Sequence, residues 1–290
     1  MNVKFTQSRK TAIAIAASAA LLAACGGGTK EAASSASAPA SNIECSKDAL
    51  STLTPGTLTI ATGEPAYSPW VEDDAPESGK GFEAAVAYAV ATKLGYANSE
   101  VTWVRTTFDG AIAPGAKTFD FNLQQYSITD DRKKVVDFSS PYYNTPQAVI
   151  TVKGSTIDGK TAIADLASAK LGVGVGTTAV DVVTNTIGAT PQVFNDNAAA
   201  VAALKNGQID GIVVDLPTAL YLSAVEVENG VIVGQLPADS AGDNFGLLLA
   251  KDSPLTACVS SAVDALKADG TLDQIATTWL TDSAGAPVLK

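Results

Sequence analysis

Short apolar runs alternate with amphipathic segments along most of the chain, from residue 58 to residue 280. The runs rich in β-branched residues predict buried strands, and the segments with apolar residues at helical spacing predict helices. In the first such segment Phe82, Val86, Val90 and Leu94 fall on one helical face. The predicted elements are strand 58–62, helix 82–94, strands 101–104, 119–123, 147–152 and 170–175, helix 179–187, strand 192–194, helix 198–205, strand 211–214, helix 217–224, strands 231–234 and 245–250, and helices 255–266 and 272–280.

This alternation of strands and helices indicates α/β layers with largely parallel sheets. In such sheets ligands bind outside the carboxyl ends of the strands, so the loops that follow strands are the candidate site. Four of these loops concentrate aromatic, charged or hydroxyl side chains. They are residues 63–70, 127–134, 172–178 and 210–215.

Loop 63–70 comes directly after the first strand and holds two aromatic residues and an acid, namely Tyr67, Trp70 and Glu64. This concentration of side chains marks the loop as a candidate contact region. The alternative is a packed loop whose aromatic rings belong to the core, and for Trp70 the two interpretations carry equal weight.

Loop 127–134 has a structural explanation of its own. Thr129 is a good N-cap, acidic residues follow in the first turn, and lysines come after them. A short solvated helix therefore explains most of this run. By that interpretation alone, Arg132 is no more than an exposed charge.

The third and fourth loops suit charged groups of opposite sign. Gly176, Thr177 and Thr178 lie where a strand ends and a helix begins, so free backbone N–H groups and hydroxyls are available to an anion. Their spacing differs from the dinucleotide fingerprint and from the phosphate-binding loop, which needs a lysine. The fourth loop ends in Asp215 ahead of Pro217. Capping of the following helix is the alternative role for this acid.

Composition excludes several classes of chemistry. The 290 residues are 46% apolar, enough for a sizeable core, and contain no histidine. Serine–histidine catalysis, histidine-bound zinc and imidazole pH switches are therefore excluded. Three cysteines cannot form a four-thiolate metal site. The net charge of −11, without a basic stripe, argues against a nucleic-acid partner, and no cofactor is predicted.

The start of the chain has the pattern of a secretory signal. Basic residues precede an apolar run, residues 11–24, which is too short to span a bilayer and ends at Cys25. Residues 21–25 resemble the lipobox of bacterial lipoproteins, which implies removal of residues 1–24, a diacylated Cys25 and attachment to a membrane outside the cytoplasm. The alternative is an ordinary signal cut elsewhere. Residues 25–42, rich in Gly, Ala, Ser and Pro, then form a flexible tether.

Export changes the interpretation of the other two cysteines. An extracytoplasmic compartment is oxidising, and with Cys25 lipidated an even pair remains, Cys45 and Cys258. This favours a structural disulfide between them. The alternative is two free buried thiols.

Ordered motifs between residues 58 and 280 resemble the polar amino-acid-binding proteins of bacterial ABC importers, an extracytoplasmic solute-binding family. The most specific is the run Ser-Ile-Thr-Asp-Asp-Arg-Lys-Lys-Val-Val-Asp-Phe-Ser-Ser-Pro-Tyr-Tyr at 127–143. The others lie at residues 79–83, 108–112, 206–210, 244–246, 268–272 and 279–280. Their order and spacing together carry the resemblance.

The resemblance implies an α/β, two-lobed periplasmic-binding-protein-like fold. Each lobe is expected to be a mostly parallel sheet flanked by helices, with two hinge strands near 147–152 and 245–250. The first lobe is expected to be discontinuous, formed by residues 43–149 and 247–290. The second lobe is expected to be formed by residues 150–246.

The resemblance also implies a clamp for the charges common to all amino acids. Arg132 is expected to bind the α-carboxylate through its planar fork, helped by Ser127 and by the loop of Thr177 and Thr178. Asp215 is expected to pair with the α-ammonium. Both partners are needed because a buried ion without its partner is costly.

The remaining assigned residues would contact the ligand side chain. Glu64 matches a position that often carries an acid, and Tyr67, Trp70 and Phe108 match positions whose rings form a wall. Gln125 stands where the binders of basic amino acids have serine. Rings and an acid favour a cationic amino acid over a neutral polar one, with glutamine possible, and over an acidic one.

The expected function is capture of that amino acid by lobe closure and delivery to a membrane permease with its ATPase. Two other classes stay open. Some enzymes with this bilobal fold, such as cyclohexadienyl dehydratases, use an acid as proton donor, a role open to Glu64 or Asp215. A lipoprotein that senses the ligand without transporting it is the other.

Overall fold

The structure is a computed structural model, and it describes residues 44–237, 243–280 and 286–290. The predicted signal peptide, lipidated cysteine and tether, residues 1–42, lie outside the described residues. Within the described part of the chain, no helix combines the length and apolar character that crossing a bilayer requires.

The elements alternate along the chain much as their hydrophobic pattern predicts. The strands are β1 (Leu58–Gly63), β2 (Val101–Thr106), β3 (Phe121–Asn122), β4 (Val136–Phe138), β5 (Tyr143–Thr145), β6 (Gln147–Val152), β7 (Leu171–Gly174), β8 (Gln192–Phe194), β9 (Gly211–Asp215), β10 (Gly230–Gln235), β11 (Asp243–Phe245) and β12 (Leu248–Ala250). The helices are α1 (Phe82–Lys93), α2 (Phe108–Ile112), α3 (Asp130–Lys133), α4 (Ala179–Asp181), α5 (Asn197–Lys205), α6 (Leu216–Tyr221), α7 (Thr256–Ala268) and α8 (Thr271–Trp279).

Shorter helical segments complete the described elements. A π-helical segment follows α4 at Val182–Ile187, and another follows α6 at Leu222–Glu226. Single 3₁₀ turns lie at Lys47–Ala49, Glu72–Asp74, Pro76–Ser78, Asn98–Glu100 and Ile163–Leu166.

The first sheet has the strand order β2-β1-β3-β12-β4. β1 pairs in parallel with β2 and β3, whereas β12 is antiparallel to β3 and β4. β1 is buried along its whole length because helices cover it. Leu58 and Ile60 of β1 share a core with Phe82 and Val86 of α1 and with Val259 of α7. We call this sheet and its helices the first lobe.

The second sheet has the order β10-β6-β9-β7-β8 and forms the second lobe with its helices. β7 is parallel to β8 and β9, and β6 is antiparallel to β9 and β10. Successive residues of β6 enter different cores, since Val149 packs with Val183 and Ile150 packs with Leu204. Helical segments therefore cover both faces of this sheet.

Two short strands run between the lobes, and they are not the strands that the sequence suggested. β5 and β11 pair antiparallel, with Asp243 opposite Thr145 and Phe245 opposite Tyr143. The predicted connector 147–152 is instead β6, inside the second sheet, where its continuous apolar run is buried on both faces. The predicted strand at 245–250 is divided between β11 and β12.

The last residues of the chain also differ from the expectation that 247–290 belongs to the first lobe. Leu289 is buried with Val233 and Leu236 in a core of the second lobe, and its N–H donates to the carbonyl of Gln235 at 2.9 Å. We therefore count residues 286–290 with the second lobe and place the lobe boundaries at β5 and β11.

Cys45 and Cys258 form a disulfide with their Cα atoms 5.3 Å apart, as the cysteine count favoured. Cys258 lies on α7 and is buried in the core of the first lobe. The bridge therefore fastens the beginning of the described chain to a late helix of the same lobe.

Replacing both cysteines, Cys45→Ser with Cys258→Ser, should destabilise the protein. The bridge spans 213 positions of sequence, and closing so long a loop contributes about 5 kcal/mol in the chain-entropy model, with smaller measured gains common. Urea unfolding without reductant should show a loss of about 2–4 kcal/mol. The unmodified protein unfolded with reductant is the control, and equal stability of the variant and the oxidised protein would contradict the prediction.

Candidate functional site

A cleft of about 200 Å³ lies between the lobes, at the carboxyl ends of β1, β7 and β9. Every residue assigned to a ligand by resemblance lines it, namely Glu64, Tyr67, Trp70, Phe108, Gln125, Ser127, Arg132, Thr177, Thr178 and Asp215. Lining residues that were not singled out from the sequence include Glu83, Gln147, Asn195, Asp196, Asn197 and Thr218.

Arg132 is a buried cation, with only 8% of its surface exposed. It lies in α3, which begins where the Thr129 hydroxyl accepts a hydrogen bond from the Arg132 N–H. The guanidinium donates to two backbone carbonyls, those of Ser127 at 2.7 Å and Gly176 at 2.9 Å, and lies 5.3 Å from the centre of the Phe108 ring. The interpretation of Arg132 as an exposed charge is therefore wrong, although the short helix around it is correct.

Asp215 is an acid in the same cleft. It ends β9 and stands at the N-cap of α6, but its side chain makes no capping hydrogen bond. Burial raises its pKa to about 8, repulsion from Asp243 adds to the rise, and attraction to Arg132 opposes it. The helix-capping alternative for this acid is therefore wrong.

Neither of these charges is neutralised by a direct partner. Among the described residues, no ion pair includes Arg132 or Asp215. Burial accordingly lowers the pKa of Arg132 while it raises the pKa of Asp215. The cleft thus holds a buried cation, Arg132, and a half-buried acid, Asp215, each suited to pairing with an external group.

Hydroxyl groups from both lobes meet beside Arg132 at a single carboxylate. Asp243, on β11, accepts hydrogen bonds at Oδ2 from Ser127 at 2.9 Å, Thr178 at 2.7 Å and the Gln147 amide at 3.0 Å. The Gln147 amide also donates to the Thr178 hydroxyl at 2.7 Å. No sequence pattern singled out Asp243, because it is one acid beside a hinge strand.

Thr177 has a local role that the resemblance did not indicate. Its hydroxyl donates to the carbonyl of Gly174 at 2.8 Å, which closes the loop between β7 and α4. Its side-chain proton is therefore already used within that loop.

Glu83 is buried in the wall of the cleft and positions Gln125. Its carboxylate accepts hydrogen bonds from the Gln125 N–H at 2.7 Å, from the Gln125 side-chain amide and from the Tyr142 hydroxyl. Gln125 has φ of 52°, a left-handed conformation that is uncommon outside glycine and that these bonds hold in place. Burial raises the pKa of Glu83 to about 7. From the sequence, an acid in the first turn of α1 is explained by the helix dipole alone.

Trp70 is a core residue that also joins the lobes. Only 1% of it is exposed, its ring packs edge-on against Phe82 and Phe245, and its Nε1–H donates to the Thr218 hydroxyl at 2.8 Å. Gly81 makes this packing possible, since a Cβ there would lie 2.5 Å from the Trp70 carbonyl oxygen. Trp70 therefore lines the cleft and also belongs to the core of the first lobe, where most of its ring is packed.

The other residues expected to contact the side chain of a ligand differ in how far they are buried. Phe108 is half-buried and stacks on Tyr126 with ring centres 4.8 Å apart. Tyr67 is half-buried, and burial followed by repulsion from Asp196 raises its pKa. Glu64 is exposed, so its carboxylate is a solvated charge at the edge of the cleft.

The formal charges along the cleft are mostly negative. Among the described lining residues the acids are Glu64, Glu83, Asp196 and Asp215, and the only base is Arg132. A cationic group in the cleft would lower the raised pKa values of Asp215 and Glu83, so this lining favours a cation over a second carboxylate on a ligand.

Comparison with known proteins shows the family of the chain and agrees with the fold. The model of the bacterial extracellular solute-binding proteins, family 3, matches residues 58–282, and the chain belongs to this family.

A probable histidine-binding protein of Campylobacter jejuni is 32% identical over 225 residues, covering 76% of this chain and 84% of that protein. An L-cystine-binding protein of Escherichia coli is 30% identical over 237 residues, covering 81% and 85%. Among solved structures, an ancestral arginine-binding protein bound to arginine matches with a TM-score of 0.65 and 32% identity, covering 78% of this chain and 99% of that one.

The stability of the protein without ligand should depend on pH through Asp215. Its pKa of about 8 in the folded protein lies above the ordinary value of 3.8, so the folded state binds the proton more tightly. The free energy of unfolding should therefore fall as pH rises from about 4 to 8, with this group contributing up to about 1.4 kcal/mol per pH unit. Asp215→Asn should reduce this slope by up to about 1.4 kcal/mol per pH unit, as measured by urea unfolding at pH 5, 6 and 7. The part that comes from Glu83, whose pKa is also raised, should remain.

Asp269→Asn is the matched control for this change of charge. Asp269 is an exposed acid whose pKa is lowered to about 2, chiefly by its hydrogen bond with Lys93, so it titrates below this range. Its variant should keep the slope of the unmodified protein. An Asp215→Asn variant with an unaltered slope would show that Asp215 is charged throughout.

Proposed function

We propose that the protein binds a cationic amino acid outside the cytoplasm and delivers it to a membrane permease with its ATPase. The observation that carries the proposal is a buried guanidinium and a half-buried carboxyl group in one cleft, Arg132 and Asp215, neither of which has an ion-pair partner among the described residues. An amino-acid zwitterion supplies the missing partner of each.

Arg132 suits the α-carboxylate because its planar fork is already aligned. Two of its five N–H groups are fixed by the carbonyls of Ser127 and Gly176, which come from different lobes. The others find no hydrogen-bond acceptor among the described residues and are available for a two-pronged contact. Since guanidinium stays charged when desolvated, burial strengthens its pairing with a carboxylate.

Asp215 suits the α-ammonium for the converse reason. Burial and the neighbouring acids Asp243 and Glu83 raise its pKa, and an ammonium group at its carboxylate would reverse that rise. An ammonium ion is thus the kind of partner that the site lacks. An α-hydroxy acid or a sugar could not supply it.

The charge of the cleft favours a cationic side chain. Glu64 and Asp196 are acidic lining residues, and the half-buried rings of Tyr67 and Phe108 suit a methylene stem or a cationic head. We therefore rank arginine, lysine and histidine above glutamine, and glutamine above glutamate. The histidine-binding relative and the arginine-bound ancestral structure support this ranking, and the cystine-binding relative indicates that ligands differ within the family.

Delivery to an importer and a lipid anchor are the finer parts of the proposal. The family places the protein outside the cytoplasm, and the pattern of residues 1–25 supports export and diacylation of Cys25. A sensing lipoprotein would use the same cleft. A permease gene next to this one, together with loss of uptake when the protein is deleted, distinguishes transport from sensing.

Isothermal titration with arginine, lysine, histidine, glutamine and glutamate tests the ligand class. Binding should be tightest for a cationic member, and Arg132→Ala should weaken it by about 100-fold or more, because a buried ion pair is lost. Asp269→Asn, which changes an exposed charge in the first lobe, should bind like the unmodified protein. An unchanged dissociation constant in Arg132→Ala would remove the carboxylate clamp, and glutamate as the tightest ligand would overturn the ranking.

Turnover assays address the enzymatic alternative. The relatives compared above are named as binding proteins, which supports a protein without an enzymatic activity. We expect no product from arogenate or prephenate with the purified protein. Steady product formation that is lost in Asp215→Asn would assign that acid a role as proton donor.

A further inference from the structure

Asp243 accepts hydrogen bonds from two hydroxyl groups that could otherwise donate to the carboxylate of a ligand. Its Oδ2 accepts from Ser127 at 2.9 Å and from Thr178 at 2.7 Å, and these two side chains come from opposite lobes and line the cleft. Ser127 is buried and Thr178 is half-buried, so water has limited access to replace these bonds.

The number of hydroxyl protons limits what these side chains can do at once. A hydroxyl has one proton to donate. Thr178 Oγ1 already accepts a hydrogen bond from the Gln147 amide at 2.7 Å, and its own proton is directed to Asp243. The Ser127 proton is directed to the same oxygen. A carboxylate that approached Arg132 would therefore face hydroxyl lone pairs, which repel it.

Building on the proposed amino-acid clamp, we propose that Asp243 sets the affinity of the site by withholding the hydroxyl protons of Ser127 and Thr178 from the α-carboxylate of the ligand. It is a positioning residue that acts through these two hydroxyls. The site then binds an amino acid less tightly than its own donors would allow.

The electrostatics of Arg132 act in the same direction. Attraction to Asp243 raises the pKa of Arg132 more than any other charged group does, against the lowering caused by burial. Tyr126, Asp215 and Asp181 contribute less. Part of the field of the guanidinium is thus already balanced by an internal acid before a ligand carboxylate arrives, and two neighbouring carboxylates repel each other.

Asp243→Asn is the first test, since it keeps the shape of the side chain, removes its charge and replaces one of its two acceptor oxygens by an amide donor. With its amide nitrogen in the place of Oδ2, the Asn donates to the Ser127 and Thr178 oxygens, which frees both hydroxyl protons to point towards a ligand. The Gln147 amide, which donates to Oδ2 in the unmodified protein, keeps its bond to Thr178. Isothermal titration with L-arginine should then show binding about 10-fold tighter, as expected for one added charge-assisted hydrogen bond. Asp269→Asn, with the same change of charge at the surface, should leave the affinity within about 2-fold.

A second variant shows whether the hydroxyls carry the effect. When Thr178→Val is already present, the fold-increase in arginine affinity caused by Asp243→Asn should fall to about one third or less of its value in the unmodified background. The reason is that the hydroxyl proton of Thr178 no longer exists and only that of Ser127 can be released. An equal gain in both backgrounds would mean that Asp243 acts by charge alone and would overturn the proposed route. Asp243→Ala carries the same expectation and leaves no side-chain acceptor to hold the hydroxyl protons. It decides the result if the Asn side chain turns its carbonyl oxygen towards Ser127 and Thr178, or if Asp243→Asn fails to fold.

The outcomes separate this inference from the proposed function. If the unmodified protein binds arginine and both Asp243→Asn and Asp243→Ala bind it equally or more weakly, the inference is wrong and the clamp stands. If the unmodified protein binds no amino acid in the screen, the proposed function fails, and the inference fails with it.

Discussion

The buried guanidinium of Arg132 is the constraint around which the cleft is organised. An isolated charge in a low-dielectric environment costs several kcal/mol, and among the described residues the hydrogen bonds of this one go to the backbone carbonyls of Ser127 and Gly176. Neutral acceptors orient the group without cancelling its charge. Because the two carbonyls belong to different lobes, the same contacts that fix the arginine also depend on the lobes being close together. The position of the charge that would bind a ligand therefore depends on the closure of the two lobes.

Acidic groups around the cleft divide into those that face a ligand and those that support the wall. The carboxylate of Glu83 accepts hydrogen bonds from Gln125 and Tyr142, and these bonds hold Gln125 in a left-handed backbone conformation. Asp215 has no comparable set of donors, and its pKa rises further. The difference shows how identical chemistry can be structural in one place and available for binding in another, according to how many donors surround it.

Local pattern predicted most of the fold, but it predicted the connections between lobes poorly. Strands such as β1 and β6 have apolar runs long enough to be recognised, whereas β4 and β5 have three residues each and no usable period. The first hinge strand was predicted at 147–152, which is β6, and the observed connecting strand is β5. The two strands lie only two residues apart in the sequence, and the apolar pattern of β6 is the stronger of the two. Leu289 packs on the second lobe through contacts distant in sequence, which periodicity does not contain.

The residues of the site were predictable to the extent that a family motif contained them. Arg132 illustrates the limit, since its neighbours in sequence are solvated and only the tertiary structure buries it. Asp243 and Thr218 carried no local signal. Their importance arises from bonds to residues more than 60 positions away, at Thr178 and Trp70.

The hydrogen bond between Trp70 and Thr218 gives the protein an intrinsic optical reporter. Separation of the lobes would break this bond and admit water to an indole that is now buried, which shifts indole fluorescence to longer wavelength. The other two tryptophans, Trp103 and Trp279, lie on β2 and α8 of the first lobe, and Trp103 donates to the Tyr88 hydroxyl within that lobe. Domain closure can therefore be followed in the unlabelled protein, through the emission of a single residue.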